Sequence, residues 1–298
     1  MFTRRAIIKT TLAAGATAVF APAGLGHAAG GLIWKHFPAG QNGFFRAPVM
    51  VSGATEAVLI DGGFTLPDGT AVAEAIKVAG KKLTTIYISQ SDPDYYFSLG
   101  PIKAAFPDAK VIAAPATVAA IKDSVEKKLA VWGPQLKENG PQTLADVVIP
   151  EAFDDKILTV DGETIEIVDA EGMPNRRYLS VPSVNAVFGG VMIFNGVHVW
   201  TADTNSAELR TAWVANLEKI AARKPAVVVA GHMMPDAKTD LSGVEHTISY
   251  LKAFEEELAK AKDSAALKAA MEARFPGLGM AVALDIGSKV ATGEMKWG

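Results

Sequence analysis

Ile88-Ser89-Gln90-Ser91-Asp92-Pro93-Asp94-Tyr95-Tyr96-Phe97-Ser98-Leu99-Gly100 is the stretch from which the rest of the chain is read. The apolar run from Leu83 to Ile88 leads into it, and a helical pattern from Phe97 to Phe106 leads out. Its polar side chains therefore fall at the end of a strand, where open α/β sheets place ligand and catalytic groups. Gln90, Asp92 and Asp94 carry side-chain oxygens at alternate positions. Two readings fit them: groups that converge on a ligand, or Asp92-Pro93-Asp94 as a helix start, since aspartate is a favoured N-cap and proline suits the first turn.

Upstream, Ala57-Val58-Leu59-Ile60 is a buried strand closed by Asp61-Gly62-Gly63, and Pro67-Asp68 opens a helix with Val72 and Ile76 at helical spacing. Gly31 to Val51 reads as two short strands around Gln41-Asn42-Gly43. Downstream, the strand Val111-Ile112-Ala113-Ala114 precedes a helix from Ala116 to Leu129, the third strand–helix repeat of a layered α/β sheet. Trp132 to Pro150, with Gly133-Pro134 and Gly140-Pro141, reads as a surface loop.

The second half is antiparallel in pattern. Asp161-Gly162 joins Lys156–Val160 to Thr164–Val168, and Pro182-Ser183 joins Tyr178–Val181 to Ala186–Phe188. A helix follows over Asn205 to Arg223, then a strand from Ala226 to Ala230 ending at Gly231-His232, and a long helix marked by Val244, Ile248, Leu251 and Leu258. Ala265 to Gly298 begins as helix and then loses its pattern. There is no internal repeat, low-complexity tract or interdomain linker.

The first residues carry Arg4, Arg5 and Lys9 without an acid, then a short apolar run from Thr10 to Leu25 and the small residues Gly26-His27-Ala28-Ala29. This is the pattern of an export signal, residues 1–28, with Thr3-Arg4-Arg5 resembling the twin-arginine type. Residues 29–298 then form one domain, and the expected location is periplasmic or secreted. Removing Arg4, Arg5 and Lys9 from the 29 basic residues leaves 26 against 32 acids, a net charge of −6. No basic face for nucleic acid is indicated, and no membrane attachment is expected once the signal is removed. The chain has no cysteine, which excludes disulfides, thiolate metal sites and a cysteine nucleophile, so any metal must be held by His, carboxylate or amide. With 49% apolar residues it can build its core without such staples.

From about Ile33 to His232 the chain resembles the metallo-β-lactamase superfamily. The family's metal motif, His-x-His-x-Asp-His followed by Tyr-Phe-Gly-Leu, is matched in frame by Gln90-Ser91-Asp92-Pro93-Asp94-Tyr95 and Tyr96-Phe97-Ser98-Leu99. All three histidines are replaced. Leu59-Ile60-Asp61-Gly62-Gly63 is similar to the family's Leu-Ile-Asp-x-Gly, Gly189-Gly190 stands where it has Gly-Asp, and Gly231-His232 is similar to its final Gly-His. Counting back nineteen residues from Gly190 places its third histidine on Glu171.

The resemblance implies an αββα four-layer sandwich of metallo-β-lactamase type with additional C-terminal helices. It also implies a strand-end site in which Gln90, Asp92, Asp94, Glu171 and His232 are the candidate metal ligands. These are mostly hard oxygen donors, which suit Mg²⁺, Ca²⁺ or Mn²⁺ better than Zn²⁺. A divalent ion, Zn, Mn or Mg, would polarise a carbonyl and lower the pKa of bound water, with Asp94 or His198 handling the proton. His198 is otherwise a structural histidine bonded to Asp203. The expected function is an exported hydrolase-like protein acting on a small molecule with an ester, lactone, amide or related bond; the alternative is a relative that binds a small ligand without turnover.

Overall fold

The computed structural model describes residues 26–27 and 31–297. The expected export signal lies outside them apart from Gly26–His27, which form a short edge strand. One sheet runs in spatial order β1 (Gly26–His27), β2 (Ile33–His36), β3 (Val49–Ser52), β4 (Glu56–Ile60), β5 (Lys82–Ile88), β6 (Lys110–Ala113) and β7 (Glu151–Ala152). Pairing is antiparallel from β1 to β4 and parallel from β4 to β7. Parallel neighbours need crossovers, and α1 (Leu66–Ala79), α2 (Leu99–Ala105) and α3 (Pro115–Leu136) provide them.

The second sheet contains β8 (Ile157–Val160), β9 (Glu163–Asp169), β10 (Arg177–Val181) and β11 (Ala186–Phe188), with β13 (Val227–Val229) added beside β11. A short parallel pair, β12 (Phe194–Asn195) with β14 (His232–Met233), lies at its end. Helix α4 (Ala207–Ala222) connects β12 to β13, and α5 (Ser242–Leu258), α6 (Ser264–Arg274) and α7 (Ala281–Ala291) follow. The arrangement is an αββα sandwich with extra C-terminal helices.

Local chemistry explains the boundaries. Thr65 caps α1 by accepting from the Asp68 amide, Pro67 sits in its first turn, and Gly80 ends it at φ 65°. β4 and β5 carry Val58, Leu59, Ile86 and Tyr87 with no exposure, as expected of strands covered on both faces. The β8–β9 turn has Asp161 at φ 48° and Gly162 at φ 83°, the left-handed pair that matches hairpin twist. The Asp161 carboxylate also accepts from the Thr55 and Glu56 amides at 2.8 and 3.1 Å, joining the first sheet's β3–β4 turn to the second sheet.

One expected loop is not a loop. Helix α3 continues through Gly133-Pro134 to Leu136 instead of stopping before Trp132. Pro134 sits in the last turn, and the Gln142 side-chain amide reaches back to the Gly133 and Lys137 carbonyls and so satisfies the helix end.

Candidate functional site

Four chain segments meet at one edge of the sandwich. Asp61 follows β4 in a left-handed conformation, φ 62°, with the Asp61 and Gly62 amides tied to Tyr87 O and Tyr95 O at 2.8 and 2.7 Å. Ser89 and Gln90 follow β5, a 3₁₀ turn spans Pro93–Tyr95, and His232 opens β14. The fourth segment is the β2–β3 connection, which delivers Phe44, Phe45 and Arg46.

Arg46 lies at the centre and has no solvent exposure. Its Nη1 donates to Gly231 O at 2.6 Å and its Nη2 to Asp61 Oδ2 at 3.2 Å. Its Nε lies 3.8 Å from Asp94 Oδ2, and its Cζ is 3.6 Å from the centre of the Tyr95 ring. Asp61 also accepts from the Ser89 amide and hydroxyl at 2.7 and 2.8 Å. Burial pushes the Asp61 carboxyl up against the pull of Arg46.

His232 stacks on Phe194, ring centres 5.0 Å apart and planes 4° from parallel. Its Nδ1 is 2.7 Å from Phe44 O, which only accepts, so Nδ1 carries the proton and Nε2 presents its lone pair. That lone pair faces Asp94 Oδ2 and Tyr95 Oη, both at 3.4 Å. Burial drives the imidazole pKa well below its ordinary value, and the Arg46 charge adds to the effect.

Burial raises the Asp94 carboxyl to about 7; Arg46 pulls it down and Asp92 pushes it up. Asp94 in the unfolded chain releases its proton near 3.8, so folding takes up a proton between the two values. The Asp94 contribution to stability is fully present below about 3.8 and is lost as pH rises through about 7. Asp94→Asn is uncharged at every pH, so its unfolding free energy, from urea titrations at about pH 5 and about pH 8, should fall less with rising pH than that of the parent chain. Equal falls would show that Asp94 is not held in this way.

The other expected ligands face elsewhere. The Gln90 side-chain oxygen accepts from the Ser91 amide at 2.7 Å, and its amide nitrogen is buried without a partner among the described residues. Asp92 occupies the N-cap position of the 3₁₀ turn but makes no side-chain cap bond; it turns to Lys128, 3.5 Å away. Glu171 is not a member of the cluster: its side chain is 81% exposed and ion-paired with Lys219, because the Ala170–Arg176 turn carries it outward beside α4. The count from Gly190 depends on that turn and gives the wrong surroundings.

His198 is also elsewhere. Its Nδ1 is 3.1 Å from Tyr250 Oη, and its amide donates to Gly279 O, so it belongs to the packing between the second sheet and the C-terminal helices. Nor does it bond Asp203, which instead accepts from Trp200, Trp297 and Arg176.

Position 190 is tight for a side chain. A Cβ there would lie 2.9 Å from Ser89 Oγ, the backbone is left-handed at φ 48°, and the neighbouring Gly231 backbone approaches so closely that its own Cβ would run into Gly190 O. The edge is thus closed by backbone where a carboxylate is expected.

No sequence motif picks out Arg46. The trace it leaves is a lone basic residue in Gly43-Phe44-Phe45-Arg46-Ala47-Pro48-Val49-Met50, which otherwise lacks charge. The same segment borders an open cavity of about 820 Å³ walled by Phe44, Phe64, Trp132, Leu136 and Val282. Trp132 stands edge-on to Phe44 and Phe64, ring centres 5.4 and 5.3 Å apart. Phe44, Phe45 and Met280, all lining it, have positive φ of 53°, 55° and 61°. Strained backbone of this kind gathers at ligand sites.

A family model described as the metallo-beta-lactamase superfamily matches residues 43–232. A metallo-beta-lactamase family protein from Thermus thermophilus aligns with a TM-score of 0.57 and 16% identity, over 85% of this chain and 91% of that one. The metallo-beta-lactamase from Pontibacter korlensis aligns at 0.48 and 17%, over 77% and 99% of the two chains. That from Erythrobacter litoralis aligns at 0.49 and 15%, over 76% and 95%. No curated protein matches the chain.

Proposed function

The chain belongs to the metallo-β-lactamase superfamily, and from that premise we propose that it is a small-molecule-binding member whose strand-end site does not work as a metal hydrolase. The family commonly binds divalent metal ions, but the residues at its ligand positions do not fit one as they stand. The observation that supports the reading is their dispersal: Gln90 turns to Ser91, Asp92 to Lys128, Glu171 to Lys219, and position 190 is glycine. Only Asp94 and His232 remain together, and among the described residues no three His or carboxylate groups are placed to hold an ion. A zinc site takes four ligands, or three and a water.

The cavity beside Phe44 is the ligand compartment in this reading. Its volume lies within the range of small-molecule sites, and its walls set Phe44, Phe64 and Trp132 beside the polar groups of Gln41, Asp68 and Gln135. The N-terminal pattern with Arg4 and Arg5 supports an exported, periplasmic or secreted, location.

Metal analysis of the purified protein, with a hydrolysis screen of esters, lactones and amides with and without Zn²⁺, Mn²⁺ and Mg²⁺, tests the proposal. The expected result is no metal-dependent turnover. Turnover that requires one of these ions and disappears in both Asp94→Ala and His232→Ala would establish the hydrolase reading instead.

A further inference from the structure

We propose that the Arg46 guanidinium is the resident cation of the strand-end pocket, standing between the carboxylates where a divalent ion would bind. The inference rests on the reading that this pocket is not a metal hydrolase site, and adds what holds it together.

Two of the positions that match the family's ligands face the guanidinium, and a third follows the residue it binds. Asp94 lies on its Nε side, the Tyr95 ring lies beneath it, and Gly231, whose carbonyl it holds, precedes His232. Asp61 closes the remaining side. His232 keeps the orientation of a metal-binding imidazole, with one ring nitrogen fixed to a carbonyl and the other turned inward. Its inward nitrogen meets Asp94 and Tyr95.

The guanidinium also ties distant parts of the chain together. It fastens the β2–β3 connection to β4 through Asp61 and to the approach to β14 through Gly231 O, contacts separated by 15 and 185 residues along the chain. Its planar fork donates to Gly231 O and Asp61 at once while its Nε, without a hydrogen bond, lies 3.8 Å from Asp94, an arrangement a lysine ammonium on a flexible stem reproduces less well. Since the side chain is covalently part of the protein and fully buried, the space between Asp61 and Asp94 is filled by the protein's own cation.

The test uses the full chain with Zn²⁺ and Mn²⁺ as probes. Equilibrium dialysis of the parent chain and of Asp94→Ala should find the same, substoichiometric metal in both, and neither ion should raise the parent's thermal midpoint. Arg46→Ala should unfold at lower temperature, and millimolar methylguanidinium should raise its midpoint, on the order of 2–4 °C for each kcal/mol regained, while methylammonium does so less. One equivalent of Zn²⁺ or Mn²⁺ on the parent chain, lost in Asp94→Ala or His232→Ala, would overturn the proposal even without turnover. So would an Arg46→Ala protein as stable as the parent, or a folded, destabilised one indifferent to methylguanidinium. If Arg46→Ala does not fold, the dialysis of the parent chain decides. Metal-independent hydrolysis would refute the binding-only reading and leave Arg46 in place.

Discussion

Arg46→Ala is expected to lower the unfolding free energy by about 3–5 kcal/mol, the cost of removing one partner from a buried ion pair. Asp61 would lose its cation while remaining 2% exposed, Asp94 would keep only distant positive charge, and Gly231 O would lose a 2.6 Å donor. Domains of ordinary stability hold about 5–15 kcal/mol in total, so the variant would sit near the edge of folding. Urea unfolding at neutral pH measures it. A loss below about 1 kcal/mol would put the network in the class of exposed ion pairs and remove its importance. The comparison with a metal is informative: a complete structural zinc site is worth on the order of 10–16 kcal/mol, more than this arginine supplies. The arginine prevails because the ligands for such a site are missing, not because it binds more strongly.

Trp213→Ala should cost a further large amount, about 3–5 kcal/mol, typical of an aromatic removed from a packed core. Trp213 is 2% exposed on α4, and its Nε1 donates to Met192 O at 2.8 Å, fixing the turn that carries Gly190. Its ring lies 6.1 Å from Phe194, the residue on which His232 stacks. Trp213→Phe keeps most of the volume and leaves the Met192 carbonyl without that donor, so it should cost less, about 1–3 kcal/mol. Urea titration of both variants separates volume from hydrogen bond. Equal losses would mean that the indole N–H, rather than the ring, carries the effect.

Much of the fold was legible because its signals are local. Leu59-Ile60-Asp61-Gly62-Gly63 announces a strand and a sharp turn, Asp161-Gly162 a two-residue hairpin, and the spacing of Val244, Ile248 and Leu251 a helix; each lies close to where it was expected. The site was legible only in part. Asp94 and His232 come together as the motif frame implies. Glu171 was placed by counting through a turn whose length says nothing of its direction, and His198 by its nearness to Gly189-Gly190, although its partner Tyr250 lies on α5, 52 residues away. Arg46 was silent because every contact that gives it meaning is made in three dimensions. Helix α3 outran its expected end because the group that satisfies its last carbonyls, Gln142, follows it in sequence and folds back.

The glycine pair at positions 190 and 231 bears on mutational accessibility. A single exchange of Gly190 for aspartate would put a side chain against Ser89 Oγ on a left-handed backbone, beside a second backbone already in contact. Restoring a carboxylate there requires the Ser89 hydroxyl, the atom in the way, to give ground. A single exchange at this position therefore disturbs the Ser89 hydroxyl, and through it the Asp61 carboxylate that Arg46 holds, in the same step that supplies the carboxylate.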